Sequence, residues 1–459
     1  MAWDTDSEAQ QRATQAKALR HQLVDAVGPF SPFWRARLKA IGTTPAKVAT
    51  VKALEAVPAV GERDVCPDGS PTSMAGLVLQ SGESGWALHA RGPELRKALN
   101  RRLVRKGSYR AMIEADTRPT SFVFAGLGFR WPVASTRSDL DVVARAGARL
   151  WAVLGLTSAD VLVCGLPLLP TASLQALQLG ALGAGSPALF PGPDGLEATV
   201  SLVPATVLAL DSALAAAQID ALSGSIGSVR TVVLIGAPTN DEREDAEVAL
   251  ERAGSKATVL AAHVPDGHRL MWAECAQGGE GLHTYPDLDL VQTVDAETGE
   301  APEAAGSHEL VLTQLGLRGS ALLRWRTGDV VDSISTDRCP KCRRTVPRLI
   351  GVRRRALVPD VELRSGRRGV DLRSVSGALL GRSDVADWRV VLGKSARSDA
   401  SDLLVHVIPH RDADVTDVAV AVARDVRAAA GLLPTQVVIE ESGTLPSAEP
   451  LSRRVHTRL

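Results

Sequence analysis

Val207-Leu-Ala-Leu210 and Thr231-Val-Val-Leu-Ile-Gly236 are short, unbroken apolar runs, and reading them decides the fold class. A strand with water on one face alternates apolar and polar residues, whereas a strand covered on both faces has no need to. Similar runs stand earlier in the chain, at Ser121-Phe-Val-Phe124, Val161-Leu-Val-Cys164 and Ala188-Leu-Phe190. Between them, residues 139–154 and 174–182 carry helix-like patterns. Strand and helix alternating at this spacing predict an α/β fold with a largely parallel sheet.

Working outward, residues 8–60 read as helices, with an amphipathic run over 13–27 and a second start at Phe30-Ser-Pro-Phe-Trp34. From about 285 to 350 the texture becomes β-rich: Leu288-Asp-Leu-Val-Gln-Thr-Val294, Ser307-His-Glu-Leu-Val-Leu-Thr313 and Leu322-Leu-Arg-Trp-Arg326. A basic, hinge-like stretch follows, Arg353-Arg-Arg355 with Gly366-Arg-Arg-Gly369. After it a helix near 373–381, strands at Trp388 and Leu403, a helix over 415–430 and a strand at Gln436 suggest a small split βαβ unit. The expected division is therefore a large domain over 1–350 and a small α+β domain over 351–459.

Lysine plus arginine and aspartate plus glutamate both number 52 in this chain of 459 residues, so no global field favours nucleic acid or an anionic membrane. Five cysteines argue against a disulfide framework and for a reducing cytoplasm. The polar, acidic opening lacks the basic and apolar regions of a secretory signal. The most apolar stretch, 161–191, is cut by Pro167, Pro170 and Pro187, which reads as a buried strand and helix rather than a membrane span.

Cys339-Pro-Lys-Cys342 places two thiols on one tight turn, and Cys275 with His283 offers a second pair upstream. Three thiolates and an imidazole are a standard closed set for structural zinc. A lone CxxC is shared with redox sites, and a reduced turn beside an unrelated Cys275 and a surface His283 is the plain alternative. The second half-site favours zinc, in a subdomain near 270–345 that the metal would pin to the α/β body.

Several segments together resemble the phenylacetate–CoA ligase branch of the adenylate-forming, AMP-dependent synthetases. They are Leu54-Glu-Ala-Val-Pro-Ala-Val60, Ser138-Asp-Leu-Asp141, Gly155-Leu-Thr-Ser-Ala-Asp-Val161, Ala273-Glu-Cys275 with Gly281-Leu-His283, Asp295-Ala-Glu-Thr-Gly-Glu300, Leu323-Arg-Trp-Arg-Thr-Gly-Asp329 and the Cys339–Arg344 turn. The resemblance implies a carboxylic acid and ATP joined as an acyl-adenylate, then a thioester with CoA, and zinc on cysteines and a histidine. It implies that Asp329, beside Thr327, accepts both ribose hydroxyls, and that homodimers are common.

The residues that would do the chemistry are largely replaced. The phosphate loop by position is Phe124-Ala-Gly126-Leu-Gly128-Phe-Arg-Trp-Pro132, where Gly126 and Gly128 keep a bend but no hydroxyl remains. The rival Gln80-Ser-Gly-Glu-Ser-Gly85 reads as a turn. Pro265, in Ala261-Ala-His-Val-Pro265, stands where the family has its magnesium carboxylate, and a hard cation needs oxygen donors. His263 and His268 read as loop histidines. Arginines replace the hinge acid, leaving Arg353 as a shifted basic residue. Leu451 stands where the family lysine holds carboxylate and α-phosphate, and no lysine follows Lys394. The arginines beside Leu451 are wider, planar donors and do not substitute freely for an ammonium.

Three readings follow. The first is a catalytically impaired or repurposed protein on the ligase fold, binding a metabolite or a protein partner. The second is a divergent acid–CoA ligase using Mg and ATP. The third is an acyl-CoA-dependent activity that needs no ATP.

Overall fold

The computed structural model describes residues 3–65, 71–80, 96, 100, 117–125, 131–212, 214–222, 224–296, 298–303, 306–354, 357–363, 366–371, 375, 378–379, 382–395, 400–430, 433–441 and 455–458. These fall into two compact units that divide after Arg353. The first unit holds the strands β1 (Pro119–Ala125), β2 (Trp131–Thr136), β3 (Leu162–Cys164), β4 (Ala188–Leu189), β5 (Val207–Asp211), β6 (Thr231–Ile235), β7 (Thr258–His263), β8 (Trp272–Cys275) and β9 (Gly279–His283). They continue with β10 (Asp289–Val294), β11 (His308–Gln314), β12 (Trp325–Val331), β13 (Ser333–Ser335) and β14 (Arg348–Ile350), and β15 (Arg353–Arg354) spans the point of division.

Nine of these strands form one sheet of order β13-β14-β9-β8-β7-β6-β5-β3-β4. Strands β4, β3, β5, β6 and β7 run parallel, and β7, β8, β9, β14 and β13 pair antiparallel. The unbroken apolar runs have a direct cause. Val207, Ala209, Val233 and Ile235 pack with Leu150, Trp151 and Leu177 in one core. Leu208, Leu210, Val232 and Leu234, one residue out of step, pack with Ile219, Ala246 and Leu250 in another. Successive side chains of a strand point to opposite faces, so both faces are buried under helices. The helix Arg137–Val153 starts on a capping box between Thr136 and Asp139. It packs so closely on Ala172–Ala184 that a Cβ on Gly147 would lie 2.1 Å from the Gly180 Cα.

A second sheet, β10-β11-β12-β15, takes up most of the expected β-rich region. Its third strand begins at Trp325 rather than Leu322, because Arg324 turns to φ 44° and breaks the extended run. The other strands of that region, β13 and β14, extend the large sheet instead. Thr258–His263, unrecognised in the sequence, is a full parallel strand, so His263 is no loop residue.

In the second unit, β16 (Leu357–Leu363), β17 (Gly366–Asp371), β18 (Val385–Lys394), β19 (Ser401–Pro409), β20 (Gln436–Ile439) and β21 (Val455–Arg458) form a six-stranded sheet. The Gly366-Arg-Arg-Gly369 stretch expected as hinge lies in β17, paired with β16. Val418, Val422 and Val426, spaced by one helical turn on Val415–Ala430, pack with Val390, Leu392, Leu403 and Val405 of β18 and β19. The two units are a large N-terminal part and a smaller C-terminal one, each mixing helices and strands. Among the described residues no helix is long and apolar enough to cross a membrane.

Candidate metal centre and candidate nucleotide site

The hairpin β8–β9 and the turn after β13 bring Cys275, His283, Cys339 and Cys342 together, with their ligand atoms all within 4.8 Å of one another. Zinc holds sulfur at about 2.3 Å and nitrogen at about 2.0–2.1 Å, so donors on its tetrahedron lie within about 4 Å of each other. The four side chains need only a small inward movement to fit. His283 presents Nε2 to the cluster, 3.2 Å from the Cys342 Sγ, while its Nδ1 faces the Ala273 carbonyl at 3.3 Å. A carbonyl behind a ligating imidazole fixes its tautomer and ring orientation. The Gly279 amide donates to the Cys275 Sγ at 3.2 Å.

Burial pushes the Cys275 thiol up to about 11, with Cys342 and Cys339 adding to the rise. Burial also holds His283 down at about 4, so its imidazole is neutral and ready to ligate at neutral pH. Cys339 lies below the ordinary thiol value. Burial acts the other way there, but the amides of Cys342 and Lys341 donate to its sulfur. A metal would displace protons from this set, as thiolate ligation requires. Thiolate-rich, closed and buried, the site fits structural zinc.

One glycine is demanded by packing. A Cβ on Gly279 would lie 2.6 Å from both the Cys275 Sγ and the Cys339 Sγ. Gly279→Ala should therefore weaken metal retention by about 10–100-fold, as loss of support around a ligand set does. Competition with a chromophoric chelator would measure it, and unchanged retention would mean that the sulfurs are not held where this geometry puts them.

The second candidate lies on β12. Trp325, Thr327 and Asp329 alternate with half-buried neighbours and share its buried face. Thr327 donates its hydroxyl to the Leu310 carbonyl and accepts the Asp329 amide at 3.1 Å. The Asp329 Oδ2 lies 2.7 Å from the His263 Nε2, and both side chains are only 1 % exposed. His263 is the last residue of β7, so two strands from different sheets meet through this pair. Its Nδ1 has no hydrogen-bond partner among the described residues. A carboxylate that is to take two vicinal hydroxyls must be open to them. Here one of its oxygens faces an imidazole in a closed interior.

Pro265 follows two residues later, its carbonyl accepting the His268 amide in a turn. His268 is buried as well, 3.1 Å from Asp289, whose other oxygen accepts the Trp272 indole. Arg353 is held by Asp332 at 2.7 Å and by the Ser307 hydroxyl at 2.6 Å. Hydrogen bonds donated by Arg353 and by the Ser307 hydroxyl hold the Asp332 carboxyl below its usual range. Arg353 is thus pinned by two side chains. Gly126, Gly128 and Leu451 lie outside the described residues. His263 is the site residue that the sequence reading passed over. The available signal was its place at the end of Val259-Leu-Ala-Ala-His263, an apolar run of strand character.

No family model matches this sequence, and no curated protein matches it. Solved structures do match in fold. A 2-hydroxyisobutyryl-CoA ligase in its postadenylation state with 2-HIB-AMP aligns at TM-score 0.65 and 16 % identity, over 99 % of this chain and 91 % of that one. The same ligase in an open conformation with 2-HIB-AMP and CoA aligns at 0.59 and 18 %, over 99 % and 93 %. In the thioesterification state with 2-HIB-AMP and CoA the values are 0.60 and 16 %, over 99 % and 91 %. The chain thus has the fold of the adenylate-forming ligases along nearly its whole length.

Proposed function

We propose that this chain is a phenylacetate–CoA ligase-like protein that has kept the adenylate-forming scaffold, with zinc as its staple, and no longer runs the adenylation reaction. It then serves as a binding or regulatory protein, its ligand drawn from the fold's own substrate class, a small carboxylic acid or its CoA thioester. The supporting observation is the His263–Asp329 pair, which puts an imidazole 2.7 Å from the carboxylate that a nucleotide ribose would need. Pro265 adds to it, since its side chain offers no oxygen to magnesium. The low cysteine count, five in 459 residues, supports a reducing cytoplasm as its compartment.

Calorimetric titration of MgATP into the zinc-replete protein is the test. The expected result is no saturable heat up to millimolar ATP. Saturable binding abolished by Asp329→Ala would overturn the reading in favour of a divergent ligase, and would justify screening acids by pyrophosphate exchange.

A further inference from the structure

The turn that carries Cys339 and Cys342 also holds the start of the chain. It closes on itself through the Cys339 amide to the Arg344 carbonyl at 2.8 Å and the Arg343 amide to the Cys339 carbonyl at 3.0 Å. Arg343 is forced to φ 67°, a left-handed conformation that a side chain adopts only when its surroundings impose it. The next two residues then reach outward. Arg344 donates to the Asp4 carboxylate at 3.1 Å and to the Ala152 carbonyl at 2.8 Å. The Thr345 amide donates to the Asp4 carbonyl at 2.9 Å. Its hydroxyl donates to the Asp6 carbonyl at 2.6 Å and accepts the Gln11 side-chain amide at 2.9 Å. Trp3 lies against Tyr285 with ring centroids 5.4 Å apart, and the Arg149 guanidinium covers its face at 4.9 Å.

We infer that metal occupancy at Cys275, His283, Cys339 and Cys342 and the docking of residues 3–11 are coupled, so that the turn is a metal-dependent clasp on the N-terminal strap. The inference rests on the metal reading and is independent of whether nucleotide binds. Two of the sulfurs, on Cys339 and Cys342, and two of the strap's partners, Arg344 and Thr345, sit on one seven-residue segment, so a single backbone conformation serves both. With the metal bound, Cys339 and Cys342 are anchored to a hairpin on the far side of the ion, and the strained Arg343 is held in place. Without it, the turn keeps only its local hydrogen bonds: the two backbone ones, the Cys342 and Lys341 amides on the Cys339 sulfur, and Arg338 on the Arg343 carbonyl. It loses its anchor to the hairpin, and Arg344 and Thr345 lose their fixed positions. Trp3 is a second fixed point of the strap, packed against two cores of the first unit beside Tyr285 and Arg149, whereas Asp4 and Asp6 are the residues that the turn itself holds. Coupling of this kind is reciprocal: whatever the metal does for the strap, the strap does for the metal.

Two arms test it on the full chain. Hydrogen–deuterium exchange is followed with zinc bound at one equivalent and after chelation, on peptides covering 3–11 and, as an internal control, 403–408 in the core of the second unit. Chelation should speed exchange in the strap about tenfold or more, within the usual range of coupling between sites, and leave the control unchanged. In the second arm, the double variant Asp4→Ala with Thr345→Val touches no ligand and should lose zinc to a competing chelator about tenfold faster than the wild type. Zinc bound at one equivalent with strap exchange and zinc loss both unaltered would overturn the coupling and leave the metal reading standing. Protein that takes up no zinc at all would overturn both. If chelation unfolds the first unit as a whole, the double variant decides, because it keeps every ligand: faster zinc loss supports the clasp and an unchanged rate overturns it.

Discussion

Cys339→Ser and Cys342→Ser should each empty the metal centre and destabilise the first unit by more than about 4 kcal/mol, in the range that marks loss of a structural metal rather than of an ordinary contact. A serine hydroxyl is close in shape to a thiol, so packing alone predicts a small effect. The difference is chemical. The hydroxyl stays protonated and is a poor partner for zinc, while three remaining donors are left facing each other in a closed site. Cys275 and Cys339 are wholly buried, and their sulfurs are packed against Gly279 on one side. Metal free energy in small zinc domains reaches about 10–16 kcal/mol, and here the large apolar cores would carry the fold through part of that loss. Cys164 supplies the control. It is also fully buried, with its thiol pushed up to about 12 by burial, but it packs in the core of the parallel sheet and is not part of the cluster. Cys164→Ala should keep one equivalent of zinc and lose only an ordinary packing increment. Metal analysis together with urea unfolding reads both quantities. Full zinc content and an unchanged midpoint in the serine variants would remove the metal from the account of this fold.

The parallel sheet was legible because its signal is local. Runs such as residues 232–235 are apolar at every position, and the reason is the pair of cores that take alternate residues. The cysteine turn was legible on the same terms, since two donors three residues apart must lie together. Its association with Cys275 and His283 is tertiary, and was read from the donor set rather than from spacing. What the sequence could not show is His263. Nothing in Ala261-Ala-His263 announces that its partner is an aspartate 66 residues further on, in a different sheet. The start of β12 was misplaced for a related reason: Leu322 to Arg326 has strand composition, but the left-handed Arg324 is set by its surroundings. The Gly366-Arg-Arg-Gly369 stretch looked like a solvated hinge because its glycines and arginines lack strand propensity, and pairing with β16 overrides that preference.

Asp329→Ala separates the two roles open to this carboxylate. If Asp329 is a structural partner of His263, removing it leaves an imidazole buried at 1 % exposure without the acceptor that faces its Nε2. Stranding a buried polar group after losing its bond costs about 2–4 kcal/mol, and more if the lost pair was charged. Asp329→Asn keeps an oxygen at the same place and should recover much of that loss. Thermal and urea unfolding of the wild type, Asp329→Ala, His263→Ala and the double variant then close a cycle. The double variant should be less destabilised than the sum of the single ones by at least about 1 kcal/mol, because removing both partners strands neither of the pair. A carboxylate kept for ribose behaves differently. Its loss abolishes nucleotide binding with little change in stability, and no coupling to His263 emerges. That second pattern would return this chain to the working ligases. The first would mean that His263 has turned the carboxylate of a nucleotide site into a buried tie between two sheets.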